Sequence, residues 1–296
     1  MGDTMPRKIR FWRTVGDSYG FVFGDWGRLF RASAAWVVIG CVIFVAILAW
    51  FGPEALQRAK QPGLTHMTPG QTVAGLSFAL LALISYVAFS VAWHRAVLLG
   101  HGHETPLRAL RFKGREFRFL LYLIVIAFLS VGIVAGVFVV GIVAAAGAVS
   151  GQEVTDMFSG EPRGGIAIAI LAVFVGIIVL APFLARFSLG LPAIAVEEPR
   201  GVFGRSWHRG WRNGWRLIWG PFVCSFPISI VSGLFRAGQS FFGLMAGYEA
   251  PWRIFGEVGM LAFYALGSFA HFIALAGAIS FLSLSYRQLA VSDIAT

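Results

Sequence analysis

His271 is the residue of this sequence whose position is best suited to chemistry. It lies midway along an apolar run, 258–284, that is long enough to cross a membrane, and an ionisable side chain at that depth must face other helices or a wet cavity. Two interpretations stay open. A neutral imidazole hydrogen-bonds a hydroxyl such as that of Ser225, Ser229 or Ser268, or the imidazole binds a proton or a substrate in a transporter. No acidic residue lies deep in any apolar run, which counts against proton coupling.

A second group with chemical potential is His101, His103 and Glu104, a His-x-His pair beside a carboxylate. Imidazole and carboxylate bind metals, but no further ligand follows at a metal-type spacing. The sequence also shows no Ser/His/Asp set, phosphate-binding glycine loop or paired carboxylates. We therefore predict no catalytic residue, no metal and no cofactor, and a membrane enzyme is the third-ranked function class.

Tryptophan and arginine alternate at helical spacing over residues 201–220. On one continuous helix the indoles share one side and the guanidinium groups share the other. Indoles suit a membrane–water interface, and arginine lays its stem on hydrocarbon while its head meets phosphate. We predict an amphipathic helix that lies flat at the interface. With the arginines that close three predicted spans, the residues expected at lipid headgroups are Arg95, Arg186, Arg205, Arg209, Arg212, Arg216, Arg287, Trp207, Trp211 and Trp215.

The composition indicates an integral membrane protein. Of the 296 residues, 57% are hydrophobic and 13% are charged, which leaves too little polar surface to cover a soluble globule. The net charge of +10 comes from basic residues between apolar runs, where they orient the chain and meet lipid phosphate. We predict anionic lipid as a partner, leave a protein partner open, and exclude nucleic acid. Cys41 and Cys224 lie within apolar runs and give no disulfide framework.

Six apolar runs are long enough to cross a bilayer. We predict an all-α integral membrane protein with spans at 34–51, 73–93, 117–149, 166–184, 218–234 and 258–284. As a helix the third run would be about 50 Å long, against a hydrocarbon core of about 30 Å, so it must tilt or project. We expect a kink in the fifth span at Pro221 and Pro227, followed by an aromatic outer loop at 236–257. Of the 24 Lys and Arg residues, 19 fall on the side of both termini, which predicts cytoplasmic termini.

Basic and aromatic residues recur in three hairpin units, at about 16–99, 106–191 and 201–290. Each unit would begin with an interfacial amphipathic segment and end in an arginine at the inner face. The entry arginines are Arg28, Arg118 and Arg216, and the exit arginines are Arg95, Arg186 and Arg287. Their similar spacing favours an internal repeat, although the positive-inside rule alone also puts basic residues at alternate ends. The chain then divides into an interfacial segment at 1–33, a six-helix domain at 34–287 and a cytoplasmic tail at 288–296.

Three segments, VAWHRAVLLG, ARFSLGLPAIAVEE and SWHRGWRNGWRLIW, resemble those of a known family. It comprises bacterial six-span inner-membrane proteins of uncharacterised role, related to the membrane domain that in some proteins precedes a glycerophosphodiester phosphodiesterase. The resemblance covers residues 16–290. It implies a helical domain of the bacterial inner membrane that is associated with lipid or envelope physiology, and it brings no active site.

His208, Arg209 and Gly210 spell the tripeptide that opens the catalytic site of that phosphodiesterase. Here the tripeptide falls within an amphipathic helix, no Glu-x-Asp partner follows it, and the chain has no room for the barrel domain. We interpret it as a coincidence.

Two functions remain. The first is a non-catalytic protein that contacts anionic lipid and acts as a membrane-organising or accessory subunit. The alternative is a small-solute or lipid transporter with a midplane cavity around His271, lined by the fifth and sixth spans. A deep polar cavity would favour the transporter, and a tightly packed, dry bundle would favour the accessory subunit.

Overall fold

The computed structural model describes residues 8–51, 69–100, 112–148, 165–198, 201–248 and 251–294. The regular secondary structure in these ranges is helical. The helices are α1 (Phe11–Gly24), α2 (Trp26–Phe51), α3 (Pro69–Leu99), α4 (Gly114–Ala148), α5 (Gly165–Phe187), α6 (Gly190–Ala195), α7 (Val202–Arg209), α8 (Gly214–Met245) and α9 (Trp252–Ile294).

Six helices of the described part are long and apolar enough to cross a membrane: α2, α3, α4, α5, α8 and α9. In a bilayer the backbone must satisfy its own hydrogen bonds, so apolar runs of this length form helices. The predicted all-helical fold, with six helices long and apolar enough to span a membrane, is therefore confirmed for the described residues. The third span is one helix of 35 residues, as the unbroken apolar run predicts.

The central hairpin consists of α8 and α9, which stay in contact from Gly220 and Phe281 to Ala246 and Gly256. Small residues permit this close approach. A Cβ atom at Gly277 would lie 2.7 Å from the carbonyl oxygen of Cys224, and one at Gly220 would collide with the ring of Phe281. We call the end of the bundle that carries Gly214 the near end, and the end that carries Met245 and Trp252 the far end.

Buried hydrogen bonds fasten α3 to α9 towards the near end. Nε1 of Trp93 donates to Oγ of Ser280 over 2.9 Å, and Nδ1 of His94 lies 2.7 Å from Oγ of Ser283. Both ring side chains are almost fully buried. His94 therefore has the structural role that was one of the two interpretations of His271.

A second antiparallel pair, α4 and α5, packs against the rest of the bundle at the near end. The hydroxyl of Tyr122 donates to the carbonyl of Phe187 over 2.9 Å, and its ring leaves no space for a side chain at Gly190. Further along, the pair exposes large apolar side chains such as Phe128, Phe138 and Phe174. Such a surface is suited to lipid rather than to water.

The prediction of one continuous helix over 201–220 is wrong. α7 ends at Arg209, residues 210–213 form a turn, and α8 begins at Gly214. The turn packs tightly against α5, since Cβ atoms at Gly210 and Gly214 would overlap Arg186 and Pro182. Arg212 takes a positive φ of 66°, so the indoles and guanidinium groups on either side of the turn do not continue along one helical face.

Two predicted boundaries also differ from the structure. The first span begins at Trp26, inside the segment predicted to be interfacial. Most of the predicted outer loop at 236–257 is helical, because α8 runs on to Met245 and α9 begins at Trp252. In both places hydropathy marks the apolar part of a helix, and the helix continues into polar residues because tertiary contacts support it.

Candidate functional site

A cavity of about 370 Å³ lies between α2, α3, α8 and α9. Trp36 and Gly40 line it near the middle of α2, whereas Arg236 and Gln239 line it in the half of α8 towards the far end. The cavity thus extends from the middle of the bundle towards the far end. It reaches the surface, because Arg236 and His271 are exposed side chains in its wall.

Polar and apolar side chains share the lining of the cavity. The residues with polar side chains are Trp36, Ser85, Tyr86, Arg236, Gln239, Tyr264, Ser268 and His271. The others are Gly40, Phe78, Leu81, Ala82, Phe263, Gly267, Phe272 and Leu275. At about 30 Å³ per water molecule, the space would hold about 12 waters or a small polar ligand.

His271 lies in the wall of this cavity together with Ser268. The hydroxyls of Ser225 and Ser229, which were the other expected partners, donate within their own helix to the carbonyls of Phe222 and Ser225. Among the described residues no hydrogen bond to the His271 imidazole is formed. The imidazole is therefore accessible to a solute that enters the cavity.

Arg236 and Gln239 are the functional candidates that the sequence analysis missed. Both fall in the predicted outer loop at 236–257, whereas the structure places them three residues apart on one face of α8. The helical spacing of Arg236 and Gln239, and of Tyr264, Ser268 and His271 on the neighbouring span, was the signal that could have found the site.

The electrostatic character of the cavity is cationic. Among the residues that the structure describes, no Asp or Glu lines the cavity, and Arg236 has no ion-pair partner. The indole of Trp36 is 6% exposed, and its Nε1–H group meets no acceptor in the described part of the chain. The cavity wall therefore combines the positive charge of Arg236 with an indole donor that meets no acceptor among the described residues.

At the near end, Arg186 is enclosed by aromatic rings. Its guanidinium carbon lies 4.7 Å from the ring centroids of Phe183 and Trp207 and 4.5 Å from that of Trp211. The residue is 8% exposed, and its Nε and Nη1 atoms have no acceptor in the described ranges. Cation–π attraction offsets the desolvation of the charge and ties α5 to α7 and the turn after it.

Glu198 forms another charged centre at the near end. Its carboxylate accepts hydrogen bonds from both terminal nitrogens of Arg209, over 3.1 and 2.9 Å, and from the hydroxyl of Tyr286, over 2.8 Å. Nε of Arg205 lies 3.4 Å from Oε1 of Glu198. Burial raises the pKa of Glu198, but the hydrogen bonds from Arg209 and Tyr286 and the charges of Arg209 and Arg205 outweigh it and leave the pKa below its ordinary value. The cluster joins the α6–α7 connection to α9.

The residues predicted at lipid headgroups have different surroundings. Arg186 and Arg209 interact within the protein as described, and Nη1 of Arg95 donates to the carbonyl of Ala195 over 3.1 Å. The side chains left exposed are those of Arg212, Arg287, Trp211 and Trp215, whereas Arg205, Arg216 and Trp207 are half-buried. Headgroup contact stays a prediction, and the four exposed side chains are the ones that lipid could reach.

Two further predictions concern histidines. His101, His103 and Glu104 lie outside the described residues, so the structure does not address a metal site there. His208 is exposed in the last turn of α7, while the two residues that follow it pack against Glu198 and Arg186.

Comparison with known protein families, with curated proteins and with solved structures finds no match for this chain.

Proposed function

We propose that the protein is a small-solute or lipid transporter of the bacterial inner membrane that takes its substrate in the cavity around His271. The observation that carries the proposal is the cavity itself, which holds Arg236 and His271 within a bundle of membrane-spanning helices. Binding sites between helices near the middle of a membrane are typical of transporters. A tightly packed, dry bundle would have favoured the accessory subunit instead.

The test compares two tryptophan substitutions in membrane helices. Ala82 is an exposed residue in the cavity wall, whereas Val131 is an exposed residue on α4, away from the cavity. We expect native mass spectrometry of the wild-type protein, extracted mildly from its membrane, to detect a co-purified ligand that Ala82→Trp loses and Val131→Trp keeps. Equal retention in all three proteins would contradict the proposal.

The transport step requires a second measurement. His271→Ala should reduce uptake of the identified ligand into proteoliposomes, because the imidazole is the ionisable group in the cavity nearest the middle of its span. Uptake at the wild-type rate by His271→Ala would contradict a role of His271 in transport. Uptake by the wild-type protein no faster than by protein-free liposomes would restrict the protein to a binding role and contradict transport.

An accessory role in membrane organisation is the second candidate. It is favoured by the exposed Trp211, Trp215, Arg212 and Arg287 at the near end, which suit an anionic leaflet, and by the resemblance to uncharacterised six-span proteins. Replacing Arg212 and Arg287 with glutamine should then weaken recruitment of anionic lipid around the protein and leave the cavity ligand in place. Unchanged lipid recruitment would argue against this role.

A further inference from the structure

Among the described residues, Arg236 has no compensating charge. The other described residues that line the cavity include no acid, and no ion pair in the described part of the chain includes Arg236, although Arg253 at the same end is paired with Glu257 at 3.7 Å. A cation that enters a membrane domain is costly unless an anion or water stabilises it. An unpaired arginine in a cavity wall is therefore suited to receive the anion from a ligand.

The polar groups that share the cavity wall with Arg236 also suit a negatively charged ligand. Gln239 follows one helical turn later on α8, and α9 contributes Ser268 and His271. The buried indole N–H of Trp36, 6% exposed, has no acceptor among the described residues. Guanidinium, amide, hydroxyl and indole groups can all donate to oxygen, and phosphate and carboxylate oxygens accept such bonds best.

The remaining wall of the cavity is apolar. Phe78 and Leu81 of α3 and Phe263 and Phe272 of α9 line it, and Ala82, also in the wall, is exposed on α3. A small inorganic anion would leave these side chains without a partner, whereas the hydrocarbon part of an amphiphile would cover them.

We infer that the cavity binds an anionic amphiphile, with its phosphate or carboxylate group at Arg236 and Gln239 and its apolar part against α3 and α9. This inference rests on the proposed function, because it names the ligand class of the same cavity. It assigns the headgroup to the far half of the bundle, at the opposite end from the arginines that the sequence analysis assigned to lipid.

The test is a binding titration of the purified full-length protein in detergent with three probes. They are a short-chain phosphatidylglycerol, a phosphatidylcholine of the same chain length, and inorganic phosphate. We expect the wild-type protein to bind the anionic lipid about tenfold more tightly than the zwitterionic one, since a charge-assisted hydrogen bond is worth that much or more. Arg236→Gln should abolish the difference, and Arg236→Lys should keep part of it.

Two further variants make the result specific. Arg253→Gln removes an exposed arginine from the same end of the bundle and should keep the tenfold preference. Gln239→Glu puts a carboxylate one turn from Arg236 and should remove the preference even if Arg236→Gln fails to fold. Equal losses in Arg236→Gln and Arg253→Gln would overturn the inference in favour of general surface charge.

The outcomes separate the ligand class from the proposed function. If Ala82→Trp abolishes lipid binding while Arg236→Gln changes no preference, the cavity is a binding site but anionic recognition is wrong. If Ala82→Trp leaves all binding unchanged, the proposed function itself fails. If inorganic phosphate alone binds as tightly as the anionic lipid, the apolar part is not recognised and the amphiphile is wrong.

Discussion

The guanidinium group of Arg186 occupies an unusual environment, because three aromatic rings surround it and no described acid lies within ion-pair distance. Each cation–π contact in a desolvated site is worth about 0.5–2 kcal/mol. The buried charge of Arg186 is therefore stabilised by Trp207 and Trp211, and the packing of these indoles is stabilised by the charge.

A double-mutant cycle should measure this dependence. We expect the single variants Arg186→Met and Trp207→Leu and their combination to give a coupling free energy of about 1 kcal/mol in thermal or denaturant unfolding in detergent. The control cycle pairs Arg186→Met with Trp219→Leu, whose indole is 50% exposed and is not among the rings around Arg186. Coupling of equal size in both cycles would show that the coupling does not come from the rings around Arg186.

Glu198 should make the stability of the near end depend on pH. Its pKa is lowered in the folded protein, so its contribution is complete above the ordinary carboxyl pKa of 4.5 and is lost as the pH falls through the lower, folded-state value. We expect Glu198→Gln to reduce the melting temperature at pH 7, and the gap to the wild-type protein to narrow below about pH 4.

The matched control for this prediction is Glu257→Gln. The Glu257 side chain is 43% exposed and pairs with Arg253, which is 62% exposed, and exposed pairs contribute little. Its melting temperature should follow that of the wild-type protein at every pH. A gap between Glu198→Gln and wild type that stays constant down to pH 3.5 would contradict the assigned role of Glu198.

At the residue scale the sequence predicted part of the site. The midway position of His271 in its run indicated a polar environment, and the structure places it in a cavity wall. The sequence could not show that Arg186 and Arg209 turn inwards, because their partners Trp211, Glu198 and Tyr286 come from other elements and depend on how the chain bends after α6. In the sequence, an arginine that will face lipid headgroups looks the same as one that will pack among aromatic rings.

Contact between α8 and α9 depends on glycines at particular positions. A leucine at Gly277 would meet the Cys224 carbonyl, since even a Cβ atom there lies 2.7 Å from that oxygen. We expect Gly277→Leu to destabilise the protein by about 1–3 kcal/mol or more through overpacking, measured as loss of monodisperse protein after heating in detergent.

Gly233 provides the matched control on the same hairpin. A Cβ atom at Gly233 would meet nothing within 4 Å, so Gly233→Ala should be neutral or slightly stabilising, because alanine favours helix. If Gly233→Ala were as harmful as Gly277→Leu, close packing at Gly277 would not be the cause.

At the element scale the six spans could be predicted because each is a long apolar run. The ends of the helices could not, because polar residues such as Arg236 and Gln239 continue a helix once a neighbouring helix supports it. The end of α7 at Arg209 could not be predicted from the sequence either. The periodicity of tryptophan and arginine passes through residues 210–213 without interruption, and the helix ends there because Gly210 and Gly214 pack against α5.

For the whole molecule, the predicted cytoplasmic termini can be tested on α9 alone. Trp252 and Arg287 are exposed near opposite ends of this span. In a variant without Cys41 and Cys224, a cysteine at position 252 should react with a membrane-impermeant maleimide in intact spheroplasts. A cysteine at position 287 should react only after the membrane is opened, because the positive-inside rule assigns that end to the cytoplasm.

The reverse labelling pattern would invert the orientation and put the cavity opening towards the cytoplasm. Labelling of both positions in intact spheroplasts would contradict a membrane-spanning α9.

A single proline-free helix, α9, connects the cavity wall to the cluster around Glu198. His271 in the cavity wall and Tyr286 on the Glu198 carboxylate are separated by 15 positions on it, which is about 22 Å of α-helix. Because a continuous helix moves largely as one element, we expect a ligand that tilts α9 at His271 to shift the Tyr286 hydroxyl relative to the Glu198 carboxylate.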